Sequence, residues 1–434
     1  MSAEAGFGKV DVTPPPDTHL CGFAARTGRA EGVHDRLYAR ALVVAGPGGR
    51  DRTALVACDV IGLDVDRAAE VRRRVERVTG VPADAVVVTA THTHGGPPTM
   101  PGRLGGNVDE HYVERLTAGA VDAVRRADES RVPARLGLAI GSEPTVAHNR
   151  RLPGGPIDPN VYVVRVDRED GGLLGLVCQY ACHPVTLGPD NLLVTADYPG
   201  YLVRALETRY PGAAAMFVTG CAGQLNTGHS AADSITGRTA SRRTYAEAER
   251  IGGRLAKVAC DAVDAMPVKR DPLSCLGFVT RPVRLPLRPV APAARLLADA
   301  ERWQRESEDA EPGPALMLRA WADWARRVAS DDRPAAYVDA SVTALRWGEL
   351  SVVGLPGEPF VELGLEIRRR AGEHVVVLGY AGGVPGYVPH RSAYAEGGYE
   401  PCEAHRFYGQ PAGFAPEAGE HLVEAALAAI DEVT

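Results

Sequence analysis

The sequence predicts an α/β protein: a single large catalytic domain of mixed β-sheets flanked by helices, with a zinc site at strand ends and a helical insertion near residues 293–330. Three observations carry that expectation. Short runs rich in valine and alanine alternate with longer runs whose apolar residues recur at helical spacing. Several of the short runs end in a polar signature: His92 and His94, His183, residues 220–226, Glu358, and residues 380–399. Strand ends that each offer a metal-type or polar group are how α/β enzymes assemble a site. No repeat, low-complexity segment or linker interrupts the series, so residues 1–434 read as one domain.

In chain order, residues 5–15 form an edge strand closed by Pro14 and Pro15. A polar loop with Arg26, His34 and Asp35 follows. Residues 39–45 and 53–60 are apolar strands around a glycine-rich turn, with Asp59 near the end of the second. Residues 66–78 are an amphipathic, arginine-rich helix with Asp66 in its first turn. Val86-Val87-Val88 opens a buried strand that runs into His92 and His94 and stops at Gly95-Gly96-Pro97.

Residues 111–127 are helical, and 134–140 and 161–166 are strands flanking a loop with His148-Asn149-Arg150-Arg151. Residues 173–180 are a buried strand leading to Cys182-His183-Pro184, and 213–218 a strand leading to Cys221-Ala222-Gly223-Gln224-Leu225-Asn226. A helix spans 245–263. A long helical stretch, 293–330, is interrupted near Pro312-Gly313-Pro314. Residues 341–353 include a strand that leads to Pro356-Gly357-Glu358, then come a helix at 362–371 and a strand at 375–378. A loop dense in glycine and tyrosine precedes a closing helix at 416–433.

Composition narrows the function. Hydrophobic residues are 45% and charged residues 24%, as in ordinary globular proteins, and the net charge of −7 argues against a nucleic-acid partner. The N-terminus has neither the basic nor the apolar region of a secretory signal. No apolar run approaches the roughly 20 residues needed to cross a bilayer. The eight cysteines are scattered without paired spacing, which fits reduced thiols in a cytoplasmic protein.

Residues two apart on a strand share a face, so His92 and His94 can converge just past the strand end. Imidazole is the commonest metal-ligand side chain, and His-x-His at a strand end suits that use. Alone, the pair reads equally as two loop histidines bonded to backbone carbonyls.

The wider set of motifs resembles a known family. Val10-Asp11-Val12-Thr13-Pro14-Pro15, Thr91-His92-Thr93-His94, Asn149-Arg150, Cys182-His183-Pro184, Pro356-Gly357-Glu358 and Gly386-Tyr387 occur in the order of the neutral/alkaline ceramidases. Tyr387, Tyr394 and Tyr399-Glu400 follow that family's spacing. The resemblance implies a zinc-dependent enzyme that cleaves the amide bond of N-acyl lipids. It implies His92, His183, Glu358 and Tyr387 as zinc ligands, with His94, Arg150 and Tyr399 lining the catalytic pocket. Two departures stand out. Gln224 occupies the position of the family's active-site serine. The chain ends at Thr434, so the family's C-terminal immunoglobulin-like domain and its secretion signal are expected to be absent.

Two imidazoles, a carboxylate and a phenol oxygen form a donor set suited to about one Zn²⁺ per chain. Zinc lowers the pKa of a bound water to about 7, so no serine nucleophile is needed. His94 is placed to move a proton, and Arg150 and Tyr399 to stabilise an oxyanion or hold a substrate carboxylate. Gln224, Asn226 and His34 are assigned to substrate, and Asp59 and Asp197 to orienting the ligand histidines.

The expected function is hydrolysis of the N-acyl bond of a soluble small molecule in the cytoplasm, without stable membrane association. Self-association into a homo-oligomer is left open. Competing readings are a ceramidase or lipid amidase proper, an ester hydrolase or acyltransferase on the same site, a His-x-His amidohydrolase on a (β/α)₈ barrel, and a metal-binding relic without catalysis.

Overall fold

The structure, a computed structural model, describes residues 2–102, 107–237, 243–266 and 275–434. The β-branched runs become strands of two main sheets. An eight-stranded mixed sheet has the order 214–219, 173–180, 160–168, 132–142, 4–11, 38–45, 53–58, 86–90. Its halves are joined narrowly. Strand Glu4–Asp11 pairs with Tyr38–Ala45 along its whole length but with Val132–Ser142 only at Glu4 and Ala5. A four-stranded sheet has the order 276–286, 337–347, 350–354, 375–378.

These sheets share one core. Leu42, Val44, Leu55 and Val87 from one half meet Tyr162, Val164, Val177 and Val218 from the other. Leu345, Trp347, Val352 and Leu378 of the four-stranded sheet close the same cluster. The alternate residues Ala41, Val43, Val56 and Val88 point the opposite way and pack with Val71, Leu116 and Val124 from two helices. Strands buried on both faces read as continuous apolar runs rather than as an alternation. Each buried valine or leucine contributes about 1.5–3 kcal/mol relative to exposure.

Helices cover the outer faces. Helices α1 (Val65–Thr79) and α2 (Glu110–Glu129) cover the half that ends in the histidine strand. Asp64 caps α1 by accepting from Arg67 N at 2.8 Å, and Gly80 ends it in the left-handed conformation. Helix α3 (Asp197–Arg209), the short α4 (Ala231–Thr236) and α5 (Tyr245–Ala265) follow, with α3 and α5 packed on the other half. Residues 293–330 form a hairpin of α6 (Ala293–Glu306) and α7 (Pro312–Ala329), with Pro312 at the first position of α7. Helix α8 (Val361–Ala371) and the closing helix Ala418–Val433 back the four-stranded sheet.

The structure corrects two local expectations and adds one strand. The first strand is not an edge, because it bridges the two halves of the large sheet. The apolar run 341–353 belongs to two strands, Tyr337–Trp347 and Leu350–Gly354, turned by Gly348 at φ +65°. Strand Leu276–Pro286 was not foreseen. Its Arg281-Pro282-Val283-Arg284-Leu285-Pro286 segment belongs to an edge strand that, among the described residues, pairs with Tyr337–Trp347 alone, and prolines are tolerated there.

Three parallel pairs run through the two main sheets: 53–58 with 86–90, 173–180 with 214–219, and 350–354 with 375–378. Their carboxyl ends meet. Thr219 Oγ1 donates to Thr91 O at 2.8 Å, Gly379 N to Thr219 O at 3.0 Å, and Ala90 N to Tyr380 O at 3.3 Å.

Candidate metal centre

Each parallel pair delivers side chains to that meeting point. Beyond the strand Val86–Ala90, His92 adopts a left-handed backbone (φ +66°) and is fully buried. Such a conformation in a non-glycine residue is costly and clusters at functional sites. His92 and His94 therefore converge through a turn rather than through strand alternation, with their Nε2 atoms 3.3 Å apart. His183 enters from beyond Leu173–Tyr180. Glu358 lies on a two-residue parallel bridge with Tyr387–Val388, which sets Glu358 opposite Tyr387.

Backbone carbonyls fix the two buried imidazoles. His92 Nδ1 donates to Ile61 O at 2.5 Å, and His183 Nδ1 to Ala222 O at 2.7 Å and Leu225 O at 3.0 Å. Asp59 and Asp197, expected to orient these rings, do other work. Asp59 accepts from Tyr38 N, and Asp197 from Leu187 N and Tyr198 N. A neutral imidazole that donates through Nδ1 presents a lone pair at Nε2. The Nε2 atoms of His183 and His92 lie 3.1 and 3.4 Å from Glu358 Oε2, which is itself an acceptor. Acceptors facing one another out of reach of water call for a cation or a proton between them.

The spacing suits a metal. Donors in a tetrahedron at roughly 2.05 Å from zinc lie roughly 3.3 Å apart. The ligand nitrogens of His92, His94 and His183 all fall within 4.8 Å of one another. These distances admit His94 to the donor set alongside His92, His183 and Glu358. Tyr387 sits at the rim of the group, its ring 6.4 Å from that of His183 and its hydroxyl accepting from Arg150 Nη2 at 3.1 Å.

Around this group lies a cleft of about 60 Å³ lined by Gly22, His94, Arg150, Tyr387, Tyr399 and Phe407, with Ile235 of α4. Gly22 is needed there. A Cβ at its φ of +106° would stand 2.4 Å from the His94 ring. Arg26 holds His94 from behind by donating to its carbonyl at 2.7 Å. Arg150 is clamped by Glu400 Oε1 at 2.8 Å and by Gly223 O at 3.0 Å. Burial opposes the Arg150 charge, but Tyr387 and Glu400 more than offset it. Burial likewise works to raise the Glu400 carboxyl, yet Arg150 and Arg151 hold it below its ordinary range.

The structure thus gathers His92, His94, Arg150, His183, Glu358, Tyr387 and Tyr399, and it leaves three assigned residues outside. Gln224 turns to α8, accepting from Val361 N at 3.0 Å and donating to Glu362 at 2.6 Å. Asn226 builds its own turn, bonded to Gly228 and His229. His34 stacks on Tyr245 at 3.8 Å and lines a separate cavity of about 430 Å³ with Lys9, Arg40, Asp59 and Glu207.

Sequence reasoning overlooked three residues here. Tyr380 stacks on His92 at 4.3 Å, and burial together with the Glu358 charge pushes its hydroxyl well above the ordinary range. Glu400 anchors Arg150, and Tyr408 donates to Glu358 Oε1. The tyrosine-dense loop and its Tyr399-Glu400 motif pointed to this segment, but neither says which side chain faces inward.

Similarity to known proteins bears on the family and the fold. The family model described as neutral/alkaline non-lysosomal ceramidase, N-terminal, matches residues 4–247. The neutral ceramidase of Drosophila pseudoobscura is 28% identical over 228 residues, covering 48% of this chain and 32% of that protein. That of Mycobacterium tuberculosis is 26% identical over 231 residues, covering 48% and 36%. The matched regions thus span about a third of these relatives' length. In fold, the chain resembles the neutral ceramidase of Pseudomonas aeruginosa with a TM-score of 0.74 at 21% identity, covering 100% of this chain and 75% of that one. A structure described as a ceramidase complexed with C2 gives 0.75 at 19% identity, covering 99% and 75%.

Proposed function

This chain belongs to the neutral/alkaline non-lysosomal ceramidase family, and on that premise we propose that it is a zinc-dependent hydrolase of an N-acyl (amide) bond. The observation that carries the reading is the buried convergence of His92 Nε2, His183 Nε2 and Glu358 Oε2, 3.1–3.4 Å apart across the carboxylate, beside an open cleft.

Zinc bound there supplies Lewis acidity toward an amide carbonyl and acidifies water. Hydrolysis forms a C–O bond from water to the carbonyl carbon, breaks the C–N bond, and moves one proton from the water to the leaving nitrogen. In this reading His94 stays off the metal and is the group for that proton, since it is partly exposed and lines the cleft. Tyr399 lines the same cleft and offers a hydroxyl to the developing oxyanion. Arg150, held by Glu400 and Gly223, places a fixed positive charge beside the Tyr387 oxygen. With Gln224 turned to α8, the reading uses water rather than a side chain as nucleophile.

The substrate in this reading is a water-soluble N-acyl compound with a short acyl group, met in the cytoplasm. Three features support it. The cleft, about 60 Å³ among the described residues, is small beside the roughly 300–1,000 Å³ of sites for drug-sized ligands. A net charge of −7 is repelled by anionic lipid surfaces. Cys58, Cys178, Cys182 and Cys221 are buried as thiols. Among the described residues, no helix is long and apolar enough to cross a membrane. The second reading is a long-chain lipid amide, which the names of the relatives favour.

Kinetics on matched N-acyl amines and amino acids, from acetyl to palmitoyl, separate the two. The proposal expects the highest kcat/KM among short soluble members, with the matching esters as a control for amide preference. Highest turnover of detergent-dispersed long-chain ceramide would replace the first substrate by the second.

A further inference from the structure

Tyr408 holds none of the ligand or pocket roles described so far. Its hydroxyl donates to Glu358 Oε1, while Glu358 Oε2 faces His183 and His92. The two carboxylate oxygens are therefore divided between a tyrosine on one side and two imidazoles on the other. We propose that Tyr408 is the positioning residue of the metal centre, holding Oε1 so that Oε2 is the oxygen presented to the cation. This rests on reading the group as a metal site.

The geometry gives Tyr408 that role rather than a place among the ligands. A hydroxyl that donates to a carboxylate keeps its proton and acts through the carboxylate. A glutamate side chain has several staggered wells, and only some of them present a given oxygen to a given point. Outer partners of ligating carboxylates remove that freedom.

The place of Tyr408 is in turn set by the helical insertion. It ends the turn Ala404–Tyr408, closed by Gly409 in the left-handed conformation. Its neighbour Phe407 packs 6.0 Å from Trp321, which meets Trp303 at 5.4 Å. Arg406 lies over Trp321 at 4.3 Å, and Trp324 Nε1 donates to Gln410 O at 2.8 Å. The α6–α7 hairpin thus grips the segment on both sides of Tyr408 and aims its ring, 5.9 Å from Tyr387, into the site.

The test is Zn²⁺ affinity of the metal-free full chain, measured by competition with a chromophoric chelator, alongside its unfolding temperature. Tyr408→Phe should weaken Zn²⁺ binding about 10- to 100-fold, the usual cost of losing an outer partner, without moving the unfolding temperature of the metal-free protein. Glu358→Gln should weaken it further, and adding Tyr408→Phe to Glu358→Gln should cost nothing more. Phe407→Leu keeps the hydroxyl but loosens its support and should give a smaller loss. Unchanged affinity in Tyr408→Phe overturns the proposal, as does a full additional loss in the double variant, which would make Tyr408 act independently of Glu358. Wild-type protein that binds no Zn²⁺ overturns the metal-site reading itself.

Discussion

Asp59 shows how much a single buried carboxyl can matter. It is 8% exposed, accepts from Tyr38 N at 2.9 Å, and is pushed up by burial to about 6 from an ordinary 3.8. A carboxyl raised in the folded state lends stability that is complete below its unfolded value and is lost as pH rises through its folded one. Stability should therefore decline by about 3 kcal/mol between pH 3.8 and about 6 on this group's account. Asp59→Asn keeps an acceptor for Tyr38 and should abolish that share of the decline in urea unfolding; an unchanged pH slope would show the carboxyl to be ordinary. Gln224 gives a second residue-scale test. As a bracket on the α8 N-terminus, Gln224→Ala should cost about 1–2 kcal/mol of unfolding free energy while leaving KM nearly unchanged. A large rise in KM at unchanged stability would return Gln224 to the substrate. The gathering of His92, His183 and Glu358 was legible because few side chains suit a strand end in that way. The placement of Gln224, Asn226 and His34 was not legible, because a polar side chain near a motif has several backbone groups within reach.

At the scale of elements, the α6–α7 hairpin ties packing to the site. Trp321 is buried between Trp303, Phe407 and the Arg406 guanidinium. Trp321→Ala should cost about 3–5 kcal/mol and lower the unfolding temperature markedly. If the temperature stays put, the hairpin is a loosely held cover rather than a support. Helical period and the Pro312-Gly313-Pro314 break made this insertion readable in advance, as the amphipathic period and Asp66 did for α1. Strand Leu276–Pro286 was hidden because edge strands tolerate the prolines and arginines that usually mark loops. The turn at His92 was hidden too. Its left-handed backbone is dictated by Val60 and Ile61, which accept from His92 N and Nδ1 and lie far off in sequence.

Across the whole molecule, three parallel strand pairs aim their carboxyl ends at one point, and each contributes to the cluster there. Sequence showed that the strand ends carry polar signatures; only the packing of the sheets around their shared core shows that these ends coincide. That convergence is what makes histidines near residues 90 and 183 and a glutamate at 358 a single site. The most direct test is the metal content of the protein purified without added metal, with His183→Ala and Glu358→Ala beside it, under chelator and after zinc return. The account predicts about one zinc per chain in the wild type, little in either variant, and amide hydrolysis that disappears with the metal and returns with it. Wild-type protein that hydrolyses N-acyl substrates at full rate without metal, or variants that retain a full complement of zinc, would contradict it.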